Sequence, residues 1–168
     1  LNRDDEWIWK KRKQVKTELI SFGTQKDADF LAGVIRIGKD IDPKTKFPGL
    51  SFQVSHEGTN IPMFLPRALG KHQIYAILPA IVVGRYYGMN LVKIAEKIRT
   101  ITPLAGRMNF LPGIKRTWII DDTYNSSPAA CLAALEVLAS MDDRRRFAVL
   151  GDMAELGAGT EPAHAEIG

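Results

Sequence analysis

The chain has 168 residues, 45% hydrophobic and 25% charged, a balance that fits a folded globular protein and makes disorder not the default reading. Its single cysteine, Cys131, excludes an internal disulfide framework and a cysteine-built zinc site. No uncharged apolar run approaches the roughly 20 residues of a membrane span, and residues 1–5 lack the basic start and apolar core of a signal peptide. These features place the chain in a reducing compartment, the cytoplasm.

In chain order, Asp4 or Asp5 caps a helix that runs through Trp7 toward Val15. A short strand is expected over residues 17–22, closed by Gly23, and a second over the Val- and Ile-rich residues 30–37. After the turn-forming Asp42-Pro43 and Pro48-Gly49, residues 50–54 alternate apolar and polar. A turn at Glu57-Gly58 returns the chain through residues 61–65. Residues 17–66 therefore form a mostly antiparallel strand cluster.

From Gly70 the period is helical. Ile74, Ile77, Leu78 and Ile81 form one stripe, with a kink or early break expected at Pro79. Asn90 caps a further helix that carries Leu91, Ile94, Ala95 and Ile98 on one side. Residues 102–106 (Thr-Pro-Leu-Ala-Gly) are the candidate linker between domains. Residues 117–120 are a strand ending in Asp121-Asp122. Ser127-Pro128 opens a helix bearing Leu132, Leu135 and Leu138, with Cys131 an inert buried thiol. Residues 147–150 are expected as a buried strand parallel to the first, completing a right-handed crossover. The fold class is thus α/β: an antiparallel strand cluster with helices, followed by a Rossmann-like parallel βαβ unit.

Three places carry candidate chemistry. Gly106-Arg107 follows the linker, where an arginine fork suits a phosphate, though a surface arginine fits equally. Asp121 to Asn125 (Asp-Asp-Thr-Tyr-Asn) sits at a strand end, where a carboxylate accepts ribose hydroxyls or, alternatively, the segment is a capping turn. Residues 151–157 (Gly-Asp-Met-Ala-Glu-Leu-Gly) form an acidic loop suited to ligand contact or to solubility alone. No phosphate loop of the form G-x-x-x-x-G-K-[ST] occurs, and His56, His72 and His164 are too scattered to suggest a metal site. The basic runs at residues 10–13 and 144–146 read as solvated helix faces rather than a nucleic-acid patch.

Taken in order, these segments resemble the Mur ligase family, and within it the branch that adds D-alanyl-D-alanine. Asn2 to Asp5 is similar to the family's Asn-x-Asp-Asp. Gly70-Lys71-His72 resembles its Gly-x-His, and Gly106-Arg107 its hinge arginine. Residues 121–125 and 149–157, followed by His164 and Gly168, resemble the two long motifs of that branch.

The resemblance implies that residues 1–105 are the C-terminal half of a central ATP-binding domain. Residues 106–168 would be the N-terminal part of a Rossmann-like C-terminal ligase domain. The implied activity is an ATP-dependent ligase adding D-alanyl-D-alanine to a UDP-N-acetylmuramoyl-tripeptide through an acyl phosphate, in peptidoglycan precursor synthesis. His72, Gln73, Arg107 and Asp122 would face the nucleotide. Tyr124, Asn125, Asp152 and Glu155 would line the cleft for the incoming dipeptide. ATP and Mg2+ are the implied cofactors, with the phosphate loop, magnesium ligands and modified lysine upstream of Leu1, so this chain alone is expected to be inactive. A monomer without nucleic-acid or membrane partners is expected.

The chain departs from the family pattern in several places. Gln73 and Ala76 stand where the family has asparagines, the second of them against adenine, Pro79 replaces a small helix former, and Ser127 replaces a later asparagine. These changes keep two alternatives in view: a Mur-derived module that binds a partner without catalysis, and a Mur-type ligase for another amino acid or peptide.

Overall fold

The computed structural model describes residues 1–44, 46–141 and 145–168. The chain is mixed α/β, with a four-stranded sheet, a two-stranded sheet and flanking helices. Helix α1 (Glu6–Lys10) is capped by Asp5, whose carboxylate accepts from Ile8 N, and a 3-10 turn (Lys11–Gln14) continues it. Strands β1 (Phe22–Gly23), β2 (Phe30–Ile41), β3 (Pro48–His56) and β4 (Thr59–Pro66) form the larger sheet in sequence order. β1 pairs with β2 in parallel, and the other pairs are antiparallel. The strand expected over residues 17–22 is reduced to two residues, Phe22–Gly23, whose free side pairs with the N-terminus: Phe22 N donates to Leu1 O and Arg3 N to Phe22 O.

The β3–β4 hairpin turns on Glu57 and Gly58, both at positive φ (47° and 74°), the two-residue turn whose twist matches the strands. β2 exceeds its expected length, and register shifts after Gly33 and Ile37 mark bulges along it. Against this sheet pack α2 (Ile74–Tyr86) and α3 (Leu91–Ile98). Ile74, Ile77, Leu78 and Ile81 are all buried with Leu50, Phe52 and Val54, and Leu91, Ile94 and Ile98 join the same core. α2 continues through Pro79 without a break. Asn90 caps α3 by accepting from Lys93 N, as its position anticipates.

The last third differs from expectation in two strands. Strand β6 (Trp118–Asp121) pairs antiparallel with β5 (Asn109–Pro112), a strand the apolar pattern did not reveal. α4 (Pro128–Ala139) follows, capped by Ser127, and α5 (Thr160–Ile167) ends the chain. Residues 147–150 form no strand, and Val149 is 97% exposed, so no parallel βαβ unit is present among the described residues. An apolar run signals that a segment favours burial but does not name a partner. A five-residue connection closes the β5–β6 hairpin at far less entropic cost than a crossover.

On α4 the buried residues are Cys131 and Val137, while Leu132 is 37% exposed. A second apolar cluster joins Val137 to Leu69, Met108 and Phe110, so α4 and the β5–β6 hairpin share a core with the end of β4. The basic run at residues 144–146 begins outside the described residues. No helix among the described residues is long and apolar enough to cross a membrane.

Candidate functional site

The hinge is built where the chain leaves α3 and turns into β5. Gly106 lies at φ +70°, a conformation glycine adopts without cost, and Met108 follows at φ 48°. Gly106 is held from both sides: its N–H donates to Asp121 Oδ2 at 3.0 Å, and its carbonyl accepts from Tyr124 N at 3.1 Å. A Cβ at this position would lie 2.9 Å from Tyr124 N, so the strand end presses directly on the hinge backbone. Asp122 completes the lacing by accepting from Met108 N at 2.9 Å.

This lacing places the side chains. The Arg107 guanidinium lies 4.1 Å from the centre of the Tyr124 ring, and both side chains are exposed. Asp121 also accepts from Thr123 Oγ1 at 2.7 Å. The Thr123 hydroxyl, together with the Gly106 and Thr123 amides, outweighs burial and holds the Asp121 carboxyl below its usual range. Half-buried Asp122 has one oxygen engaged among the described residues, and Oδ2 is an acceptor on the same carboxylate. The motif contains Asp121 and Thr123, but not their fastening role, since a carboxylate that accepts from the backbone has the same letter as one facing a ligand.

His72 and Gln73 lie at the start of α2. His72 is in a 3-10 turn, and its ring folds back over Gly70 so closely that a Cβ there would run into Cε1. A cavity of about 320 Å³ opens beside it, lined by Lys71, His72 and Tyr75 on one side and by Glu136, Val137 and Ser140 of α4 on the other. No hydrogen bond, ion pair or ring contact among the described residues joins His72 or Gln73 to Arg107 or Asp122. The α4 wall is the feature of this pocket that motif spacing does not announce.

Of the acidic loop, Glu155 is exposed at φ 64° and Asp152 is exposed and paired with His164. Asn125 is exposed, and its Oδ1 accepts from Ser126 N. The described contacts do not join Asp152 or Glu155 to Tyr124 or Asn125.

His164 has a defined proton arrangement. Nδ1 lies 2.8 Å from Thr160 O, an acceptor only, so Nδ1 carries a proton. Nε2 of the neutral ring then accepts from Met153 N at 3.2 Å, and of the charged ring donates to Asp152 Oδ1 at 2.8 Å. The Thr160 carbonyl foremost, then Asp152, raises its pKa against burial. The stabilisation from a raised histidine is fully present below the unfolded value, near 6.5, and disappears as pH rises through the folded value. An NMR titration of His164 should therefore give a midpoint above the ordinary one, moving down in Asp152→Asn. An unmoved midpoint would remove Asp152 from the pair.

Among the described residues no group of three or more His, Cys, Asp or Glu is placed to hold a metal ion.

Residues 106–168 match the family described as Mur ligase, glutamate ligase domain. The UDP-N-acetylmuramoyl-tripeptide–D-alanyl-D-alanine ligase of Escherichia coli (strain K12) is 31% identical over 120 residues, covering 71% of this chain and 26% of that protein. The UDP-N-acetylmuramoyl-L-alanyl-D-glutamate–2,6-diaminopimelate ligase of Listeria monocytogenes serotype 4b is 26% identical over 170 residues, covering 99% of this chain and 32% of that protein.

The fold matches a crystal structure of MurF from Acinetobacter baumannii with a TM-score of 0.80 at 24% identity, over 99% of this chain and 34% of that one. It also matches MurF ligase from Thermotoga maritima in complex with ADP, with a TM-score of 0.74 at 22% identity, over 97% of this chain and 35% of that one. The chain thus spans about a quarter to a third of the length of these proteins. Residues 106–168 thus belong to the Mur ligase family, and the rest of the chain is similar in sequence and fold to proteins of that family.

Proposed function

We propose that this chain is part of an ATP-dependent ligase that adds D-alanyl-D-alanine to a UDP-N-acetylmuramoyl-tripeptide in the cytoplasm. In this reading residues 1–105 belong to the ATP-binding domain and residues 106–168 begin the ligase domain. The γ-phosphoryl of ATP passes to the tripeptide carboxylate. The dipeptide amine then attacks the acyl carbon, inorganic phosphate leaves, and the amine loses a proton to give the amide.

The observation that carries the proposal is the hinge, where Arg107, Asp122 and Tyr124 are held together by backbone lacing to Gly106 and Met108. Arg107 supplies a fork for phosphate oxygens, and Asp122 Oδ2 an acceptor for a ribose hydroxyl. His72 and Gln73 line the adenine side. Tyr124, Asn125, Asp152 and Glu155 take the amine substrate, whose ammonium favours a carboxylate-lined loop. The relative described as an ADP complex supports a nucleotide on this fold.

Calorimetry of ATP binding to the chain tests the nucleotide half. Binding should weaken about tenfold in Asp122→Ala, the effect of one hydrogen bond to a charged group. Unchanged affinity would take Asp122 out of the site. The alignment of the diaminopimelate ligase across 99% of the chain favours a second reading, a ligase for that amino acid. Binding of diaminopimelate in preference to D-alanyl-D-alanine would decide for it.

A further inference from the structure

Residues 6–18 carry five cations, Lys10, Lys11, Arg12, Lys13 and Lys16, against Glu6 and Glu18 at the two ends. Among the described residues, Trp9 and Arg12 are the half-buried side chains of residues 6–18. Trp9 is half-buried, with the guanidinium groups of Arg3 and Arg12 each 4.7 Å from its ring, and Arg3 is itself paired with Asp27 at 2.9 Å. With Trp9 turned inward, the neighbouring residues of α1 face outward: Trp7 is 80% exposed and Ile8 40%.

The four lysines are exposed like these apolar groups, while Arg12 is half-buried. Lys10 reaches Glu6 at 3.5 Å and lies 5.4 Å from the centre of the Trp7 ring. Arg12 donates to the Trp9 carbonyl. Lys11, Lys13 and Lys16 are exposed and, among the described residues, have no carboxylate partner. A large indole, an isoleucine and a lysine cluster therefore share one projecting, pre-ordered segment.

We propose that this segment is a docking face for an anionic lipid surface. An indole favours the boundary between headgroups and acyl chains, and lysine stems lie along apolar surface while their ammonium groups reach lipid phosphates. Charge complementarity selects the anionic lipid, and Trp7 with Ile8 distinguishes it from a nucleic acid, whose phosphates would be met by the lysines alone. α1, five residues long, is too short to read a groove and offers no row of rings for stacking bases. Attachment is peripheral. This departs from the solvated helix face and the absence of a membrane partner expected from sequence.

The test is sedimentation of the full 168-residue chain with vesicles of phosphatidylcholine alone and of phosphatidylcholine mixed equally with phosphatidylglycerol. Binding is expected only to the mixed vesicles and should fall as salt rises. Each cation near such a surface contributes about fivefold, so the double variant Lys11→Glu/Lys13→Glu should lose at least about 25-fold. Trp7→Ala should lose about tenfold with an unchanged melting temperature, since the side chain is exposed. Equal binding to both vesicles, binding to neither, or full binding by these variants would overturn the proposal. So would tighter binding to a duplex DNA or RNA oligonucleotide than to the mixed vesicles.

Discussion

Replacing Asp4 by alanine is expected to lower the stability of the chain by about 3 kcal/mol, because one carboxylate fastens three segments. Asp4 Oδ2 accepts from Thr24 N at 2.6 Å, Thr24 Oγ1 at 2.8 Å and Tyr75 Oη at 2.8 Å, and Oδ1 accepts from Gln25 N at 3.0 Å. It thereby ties the N-terminal residues to the turn after β1 and to α2. Charge-assisted hydrogen bonds of this kind contribute about 1.5–3 kcal/mol each but are not additive within one network. For a chain of this size the loss corresponds to a fall in melting temperature of roughly 9 °C.

The pH dependence gives the same mutation a second readout. Burial pushes the Asp4 carboxyl up, but the Thr24, Tyr75 and Gln25 hydrogen bonds more than offset it, and its pKa lies below the usual carboxylate value. Stability from a depressed carboxyl is present above the unfolded value, near 4, and is lost as pH falls through the folded value. The gap between the native chain and Asp4→Ala should therefore be constant near neutrality and close in acid. A gap that is absent at neutral pH, or that widens in acid, would show that the network does not hold the fold.

Gly106→Ala is expected to cost about 2 kcal/mol, from a left-handed backbone that alanine disfavours and a Cβ forced against its neighbour. The φ of +70° and the 2.9 Å approach to Tyr124 N act together, so relieving one worsens the other. Tyr124 would have to move away, taking its ring from under Arg107. The control is Gly151→Ala, where a Cβ meets nothing within 4 Å and φ is not left-handed. Denaturant melts of the two variants should separate clearly. Equal stability would mean that the hinge is not held by Tyr124.

Much of the fold is legible in local chemistry. Asp5, Asn90 and Ser127 cap helices where their side chains meet free amides, and Ile74, Ile77, Leu78 and Ile81 bury the face that their spacing defines. The β3–β4 hairpin follows from Glu57-Gly58 and the alternation on either side. These are short-range consequences, and a sequence states them directly. The motifs at Gly106-Arg107 and Asp121–Tyr124 are visible in sequence as candidates, but the hydrogen bonds that tie them to each other are not.

What sequence did not decide is which distant groups meet. Residues 147–150 have the composition of a buried strand, but β6 takes β5 as its partner, since pairing depends on loop closure and geometry rather than on apolar content. Asp4 and Asp5 are adjacent and chemically identical, yet Asp5 caps α1 while Asp4 reaches Tyr75, 71 positions away. In the same way Asp121 is spent on the Gly106 backbone, and Asp122 on that of Met108. Local propensity assigns each residue a set of possible partners. Only the tertiary structure, by bringing backbone donors within 3 Å of one carboxylate and not its neighbour, selects among them.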